Sequence, residues 1–115
     1  MEYIFKNCKN LDFIHLDNFD TRNVEDIRGM FSGCSKLKML DLSSFNTTKI
    51  KYYCYNNFLL DCVSIKFIDL SSFEYHGFSP IYIGKLIENG TMIVKKEFYE
   101  KLEPKPIGLR IIFVD

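Results

Sequence analysis

Cysteine and histidine are the residue types through which this chain could do chemistry, and their positions decide how to read it. Cys8, Cys34 and Cys62 each stand three residues ahead of an apolar position, at Leu11, Leu37 and Ile65, at intervals of 26 and 28 residues. If the chain coils back once per interval, the three thiols fall into one column, with neighbouring backbones roughly 5 Å apart. Three arrangements stay open there: a disulfide, a metal site, or a ladder of small buried thiols. Stacked side chains run parallel and do not point at each other, which opposes a disulfide. A zinc site wants paired ligands such as Cys-x-x-Cys, and the chain has none. The expectation is the thiol ladder, with Cys54, outside the column, as the exposed thiol. His15 falls in column with Asp41 and Asp69, and a histidine with two carboxylates could bind a metal or assist proton transfer. No nucleophile stands at an arguable position beside them, and no phosphate-cradling glycine loop is present. A flat sheet face would not exclude water either. The expectation is therefore no catalytic residue, no metal and no cofactor.

The elements that must position these residues come from a pattern written three times. Leu11, Ile14, Leu16 and Phe19 recur as Leu37, Leu40, Leu42 and Phe45, and again as Ile65, Ile68, Leu70 and Phe73. A period in the twenties is the mark of a solenoid whose units cannot bury their apolar faces alone. In each unit the residues alternate between inward and outward, as in a half-buried strand. This predicts parallel strands near residues 12–17, 38–43 and 66–71. The turns that follow carry Asp20-Thr21 and Asn46-Thr47, good residues for opening a helix. Val24, Ile27, Met30 and Phe31 then lie at i, i+3, i+6 and i+7, one apolar helical face, with Gly33 at its end. Helices are expected near residues 22–31 and 48–57. Two extra residues around Asn56-Asn57 call for a bulge or longer turn.

These residues resemble the BspA-like leucine-rich-repeat surface proteins of bacteria. The likeness rests on Met30-Phe31-Ser32-Gly33-Cys34-Ser35-Lys36-Leu37 and on Leu40-Asp41-Leu42-Ser43-Ser44-Phe45-Asn46-Thr47, with Ile68-Asp69-Leu70-Ser71-Ser72-Phe73 echoing the second run. It runs from about Ile4 to Phe73. The resemblance implies an α/β leucine-rich-repeat solenoid with a short parallel sheet, and a cell-surface array that binds proteins or a host surface component. The whole chain, 1–115, reads as one domain, with repeats at about 4–29, 30–57 and 58–75 and a C-terminal cap over about 76–115. In that cap Thr91 to Val94 reads as a strand, Lys95 to Leu102 as a short amphipathic helix stopped by Pro104 and Pro106, and Arg110 to Val114 as a last strand.

Composition narrows the partners. The 115 residues carry 15 basic and 15 acidic side chains, so charge gives no reason to expect nucleic acid or an anionic membrane. No apolar run approaches the roughly 18 residues of a membrane span. Met1 to Asn10 lacks the order of a signal peptide, which keeps an intracellular scaffold or inhibitor in view beside the surface reading. Ile4-Phe5-x-x-Cys8 aligns with Met30-Phe31-x-x-Cys34, so the first unit starts part-way through the pattern. Either further repeats precede it or a partner covers it, and an uncovered first unit is expected to associate.

Function is expected on the outward strand columns. Phe13, Met39 and Phe67 form one, His15, Asp41 and Asp69 the next, and Asp17, Ser43 and Ser71 a third. Apolar residues on an uncovered sheet face can mark an interaction patch. The ligand-binding residues expected here are Phe13, His15, Met39, Asp41, Phe67 and Asp69, the apolar ones as anchors and the charged ones setting orientation.

Overall fold

Strict alternation gives strands where it is strongest. In the computed structural model, which describes the backbone of residues 1–115 and all side chains except those of Tyr52, Ile87 and Glu88, the strands are β1 (Met39–Asp41), β2 (Phe67–Leu70), β3 (Ile87–Lys95) and β4 (Ile107–Val114). They form one parallel sheet in the order β1-β2-β3-β4. Register puts Leu40 beside Ile68 and Met92, so the inward leucine column is continuous across three strands. A single short helix, α1 (Lys96–Lys101), joins β3 to β4 and buries Phe98. The expected strand, helix and strand after residue 90 are thus present, and they extend the sheet by two strands. The first copy departs from expectation. Residues 12–17 form no regular strand and are tied to the second copy by the Lys38 amide donating to the Asp12 carbonyl (2.8 Å).

The helices expected near 22–31 and 48–57 are not there. Residues 22–31 make turns at 22–23 and 28–31 with an irregular stretch between, and the second segment holds only a short 3₁₀ helix, Tyr52–Tyr55. Amides alternate between two uses. Those of Met30, Ser32 and Cys34 bond three residues back, to Ile27, Gly29 and Phe31. Those of Ile27, Gly29, Phe31 and Gly33 donate instead to Cys54, Asn56, Phe58 and Leu60 in the next copy. The first copy repeats this, with the amides of Tyr3, Phe5 and Asn7 donating to Arg28, Met30 and Ser32. An α-helix would bond all these groups within itself, each amide to the carbonyl four residues back. Here half of them knit successive copies together.

Side chains favour the turns. Left-handed backbone occurs at Tyr3, Gly29 and Asn57 and at Asn7, Gly33 and Asp61, two columns of equivalent positions. Asparagine and aspartate enter that region more readily than other non-glycine residues. The residues read as helix openers make Asx turns: the Arg22 amide donates to Asp20 (3.1 Å) and the Thr48 amide to Asn46 (3.0 Å). The neighbouring threonines are buried and bridge copies, since Thr21 Oγ1 accepts from the Asn46 amide and Thr47 Oγ1 from the Glu74 amide.

The core lies between the inward sheet positions and these turns. Leu40, Leu42, Ile68, Leu70, Met92 and Val94 are all buried. So are Phe45, Tyr55, Phe58, Phe73 and Phe98, which meet ring to ring at centroid distances of 5.5 to 6.3 Å. Leu42→Ala is expected to cost about 2–5 kcal/mol, the range for a core leucine. Urea unfolding checks this, and a loss under about 0.5 kcal/mol, the size of a surface substitution, would place Leu42 outside the core.

Candidate binding face

The outward side of the sheet carries the columns expected from sequence. Register places Met39 beside Phe67 and Asp41 beside Asp69. Phe13 and Met39 are 57% and 53% exposed, while Phe67 and Asp69 are half-buried. Phe13 and His15 touch edge to face at 5.2 Å between ring centroids. Because residues 12–17 are irregular, Phe13 and His15 belong to no paired strand. They flank the column without a register position in it. Sequence pattern stopped these columns at the third copy, yet β3 and β4 continue them: Thr91 and Arg110 follow Phe67, and Ile93 and Ile112 follow Asp69.

The two aspartates have local duties that spacing alone did not reveal. Asp41 Oδ1 accepts from the Ser43 amide (2.9 Å) and hydroxyl (2.6 Å), and Asp69 Oδ1 accepts from the Ser71 amide (2.8 Å). The Leu-Asp-Leu-Ser run is therefore partly a device for ending a strand in a turn. The Ser43 bonds also hold the Asp41 carboxyl below the usual carboxylate range, so it stays ionised. His15, Asp17, Asp41 and Ser43 line a shallow cleft of about 240 Å³. Among the described residues no group of three histidine, cysteine, aspartate or glutamate side chains could hold a metal.

Of the column Cys8, Cys34 and Cys62, the last two are buried thiols and Cys8 is half-buried. All four are free. Cys34 Sγ donates to the Phe5 carbonyl and Cys62 Sγ to the Phe31 carbonyl, both at 3.1 Å, so each thiol reaches back to the preceding copy. Burial pushes the Cys62 thiol up to about 12 and raises that of Cys34, which keeps both protonated and poor nucleophiles. Cys54, expected to be exposed, is buried at 3% exposure. It sits in the 3₁₀ helix at Tyr52–Tyr55, where its side chain lies against Asp26 of the neighbouring copy while Tyr55 enters the aromatic core.

A second concavity, of about 340 Å³, opens past the ends of β2, β3 and β4, over Phe73, Tyr75 and Phe98. Glu74 and Lys95 pair across it at 2.9 Å, with His76 3.8 Å from Glu74. Sequence reading missed it because Glu74 and Lys95 lie 21 residues apart, outside the repeat period.

A family model described as a Mycoplasma protein of unknown function, DUF285, matches residues 1–74, the whole span of the three copies. The chain belongs to this family. No curated protein and no solved structure matches it. In this DUF285 chain the match ends at Glu74, where the repeated pattern ends and the segment leading to β3 begins. No described helix is long and apolar enough to cross a membrane.

Proposed function

We propose that this chain is a non-catalytic protein-binding module, a short leucine-rich-repeat solenoid of the kind found in BspA-like bacterial surface proteins. It engages a protein ligand or host surface component through the outward face of its sheet. The observation that carries this reading is the exposure of Phe13 and Met39 beside Phe67, large apolar side chains on a face that no other described element covers. Aromatic anchors supply most interface energy, often about 2 kcal/mol or more each, while rim charges tune rate and specificity. Asp41 and Asp69 take that second role. Phe13→Ser with Met39→Ser should abolish capture of the ligand from a panel of purified extracellular proteins. Stability should change by no more than about 0.5 kcal/mol, as for surface sites. A large loss of stability would assign both residues to the core, and retained capture would move binding to another face.

The four free thiols favour a second reading, an intracellular scaffold or inhibitor, because thiols stay reduced in the cytosol. Protease accessibility on intact cells separates the two: digestion of the chain supports the surface module, and protection supports the scaffold.

A further inference from the structure

The last strand of the sheet packs Leu109 and Ile111 against the core, but its outer edge and outward face are left open. β4 pairs with β3 along one edge, from Leu109 beside Gly90 to Val114 beside Lys95, and it stands last in the strand order, so its other edge is unpaired. None of its residues is fully buried, whereas β1, β2 and β3 each bury inward side chains. Ile107, Ile112 and Phe113 are 66%, 36% and 48% exposed, and they project from both faces of the strand. Natural edges are usually short, charged, bulged or broken by proline. The opposite side of the sheet fits that rule, because residues 12–17 form no strand. The outer part of β4 does not: from Leu109 to Val114 its only charge is Arg110, and it has no proline.

We infer that β4 is a self-association edge, at which a second copy of this chain adds its own β4 antiparallel about a two-fold axis. A free row of alternating amides and carbonyls is matched only by another extended strand. Charge selects the direction. A parallel pairing in register would set Arg110 against Arg110. An antiparallel pairing centred on Ile112 sets Arg110 opposite Val114 and next to Asp115 of the other copy. The same register puts Ile112 opposite Ile112 and Ile111 opposite Phe113, so the exposed Ile112 and Phe113 are covered by the other copy. Such a contact uses the same patch on both copies and closes at two. The four-stranded sheet becomes one of eight strands, and the outward columns of both copies lie on the same side.

Sedimentation velocity on the 115-residue chain, over a concentration series, tests this. The expected result is a monomer–dimer equilibrium that Ile112→Lys shifts to monomer, with unchanged circular dichroism. Phe13→Ser, on the face proposed for ligand, should leave the dimer intact, so loss of ligand capture and loss of dimer can be told apart. Amide exchange supplies a second readout: the outward-pointing β4 amides should gain protection as concentration rises, in the natural chain only. A monomer at every concentration, or a dimer that Ile112→Lys leaves unaltered, overturns the inference. So does assembly beyond two, which would mean a contact that does not close.

Discussion

Phe73→Ala should lower stability by about 3–5 kcal/mol, the range for a buried phenylalanine. The side chain is fully buried. Its ring lies 6.3 Å from Phe45, 5.7 Å from Phe58 and 5.5 Å from Phe98, centroid to centroid. It thereby joins the second copy, the third copy and the helix after β3 at one point. The cavity left by alanine would be walled by rings held from three directions, so little collapse can offset it. Guanidinium unfolding followed by circular dichroism gives the measurement. A loss below about 1 kcal/mol, the middle of the distribution for any substitution, would show that these rings do not form the centre of the core.

Gly84→Ala should be comparably damaging for a different reason. Gly84 has a φ of +120°, where side chains are rarely found. A β-carbon there would sit 2.7 Å from the carbonyl carbon and oxygen of Leu59 and 2.9 Å from the Leu60 nitrogen. Those atoms cannot step aside freely, because the Leu59 amide donates to the Ile83 carbonyl at 2.7 Å. Backbone strain of this kind costs about 1–3 kcal/mol, and the displaced contact adds to it, so a loss on the order of 3 kcal/mol is expected. Gly29→Ala is the informative control. Its backbone is also left-handed, but the β-carbon would meet the ring of Tyr3, the mobile end of an exposed side chain. Tyr3 and Asn57 already adopt the same backbone in the other copies. About 1–2 kcal/mol is expected there. Equal losses in thermal unfolding at the two positions would refute the contact with Leu59 as the cause.

What could be read from sequence divides along a physical line. Leu40, Leu42, Ile68 and Leu70 were legible as an inward column because period-two alternation sends successive side chains to opposite faces. The same holds for the strand at Thr91 to Val94 and the helix with Phe98 on its inner face. The spacing of Val24, Ile27, Met30 and Phe31 was ambiguous. Apolar residues every third or fourth position suit a helix, and they equally suit a chain of three-residue turns against a wall. Gly29, in the middle of the expected helix, was the available warning, since glycine disfavours a helix interior by about 1 kcal/mol. Asp20 and Asn46 look alike whether they open a helix or close an Asx turn, and only the destination of the following amides separates the two. On the outward face of the sheet, Met39, Phe67, Asp41 and Asp69 were placed in the right columns. The irregular path of residues 12–17 was hidden because Ile14 and Leu16 keep the alternation that normally signals a strand. The continuation of the columns onto Ile93 and Ile112 was hidden as well, since the segment after Phe73 abandons the repeat period.

The 3₁₀ helix at Tyr52–Tyr55 has a consequence for how this architecture varies in length. The Lys51 amide still bonds the Glu25 carbonyl 26 residues back, whereas the Ile27 amide bonds the Cys54 carbonyl 27 residues on, two more than the 25 between Tyr3 and Arg28 in the same ladder of the first copy. Both added residues are therefore absorbed within one corner, and the backbone ladders on either side pass it undisturbed. That corner works as an expansion joint. Segments spliced in there lengthen a unit without shifting the strands before or after it, whereas an insertion of one residue inside β2 would turn every following side chain to the wrong face. Diversity among such repeats has a place to accumulate at no cost to their stacking, and Tyr53, 45% exposed, stands at that place.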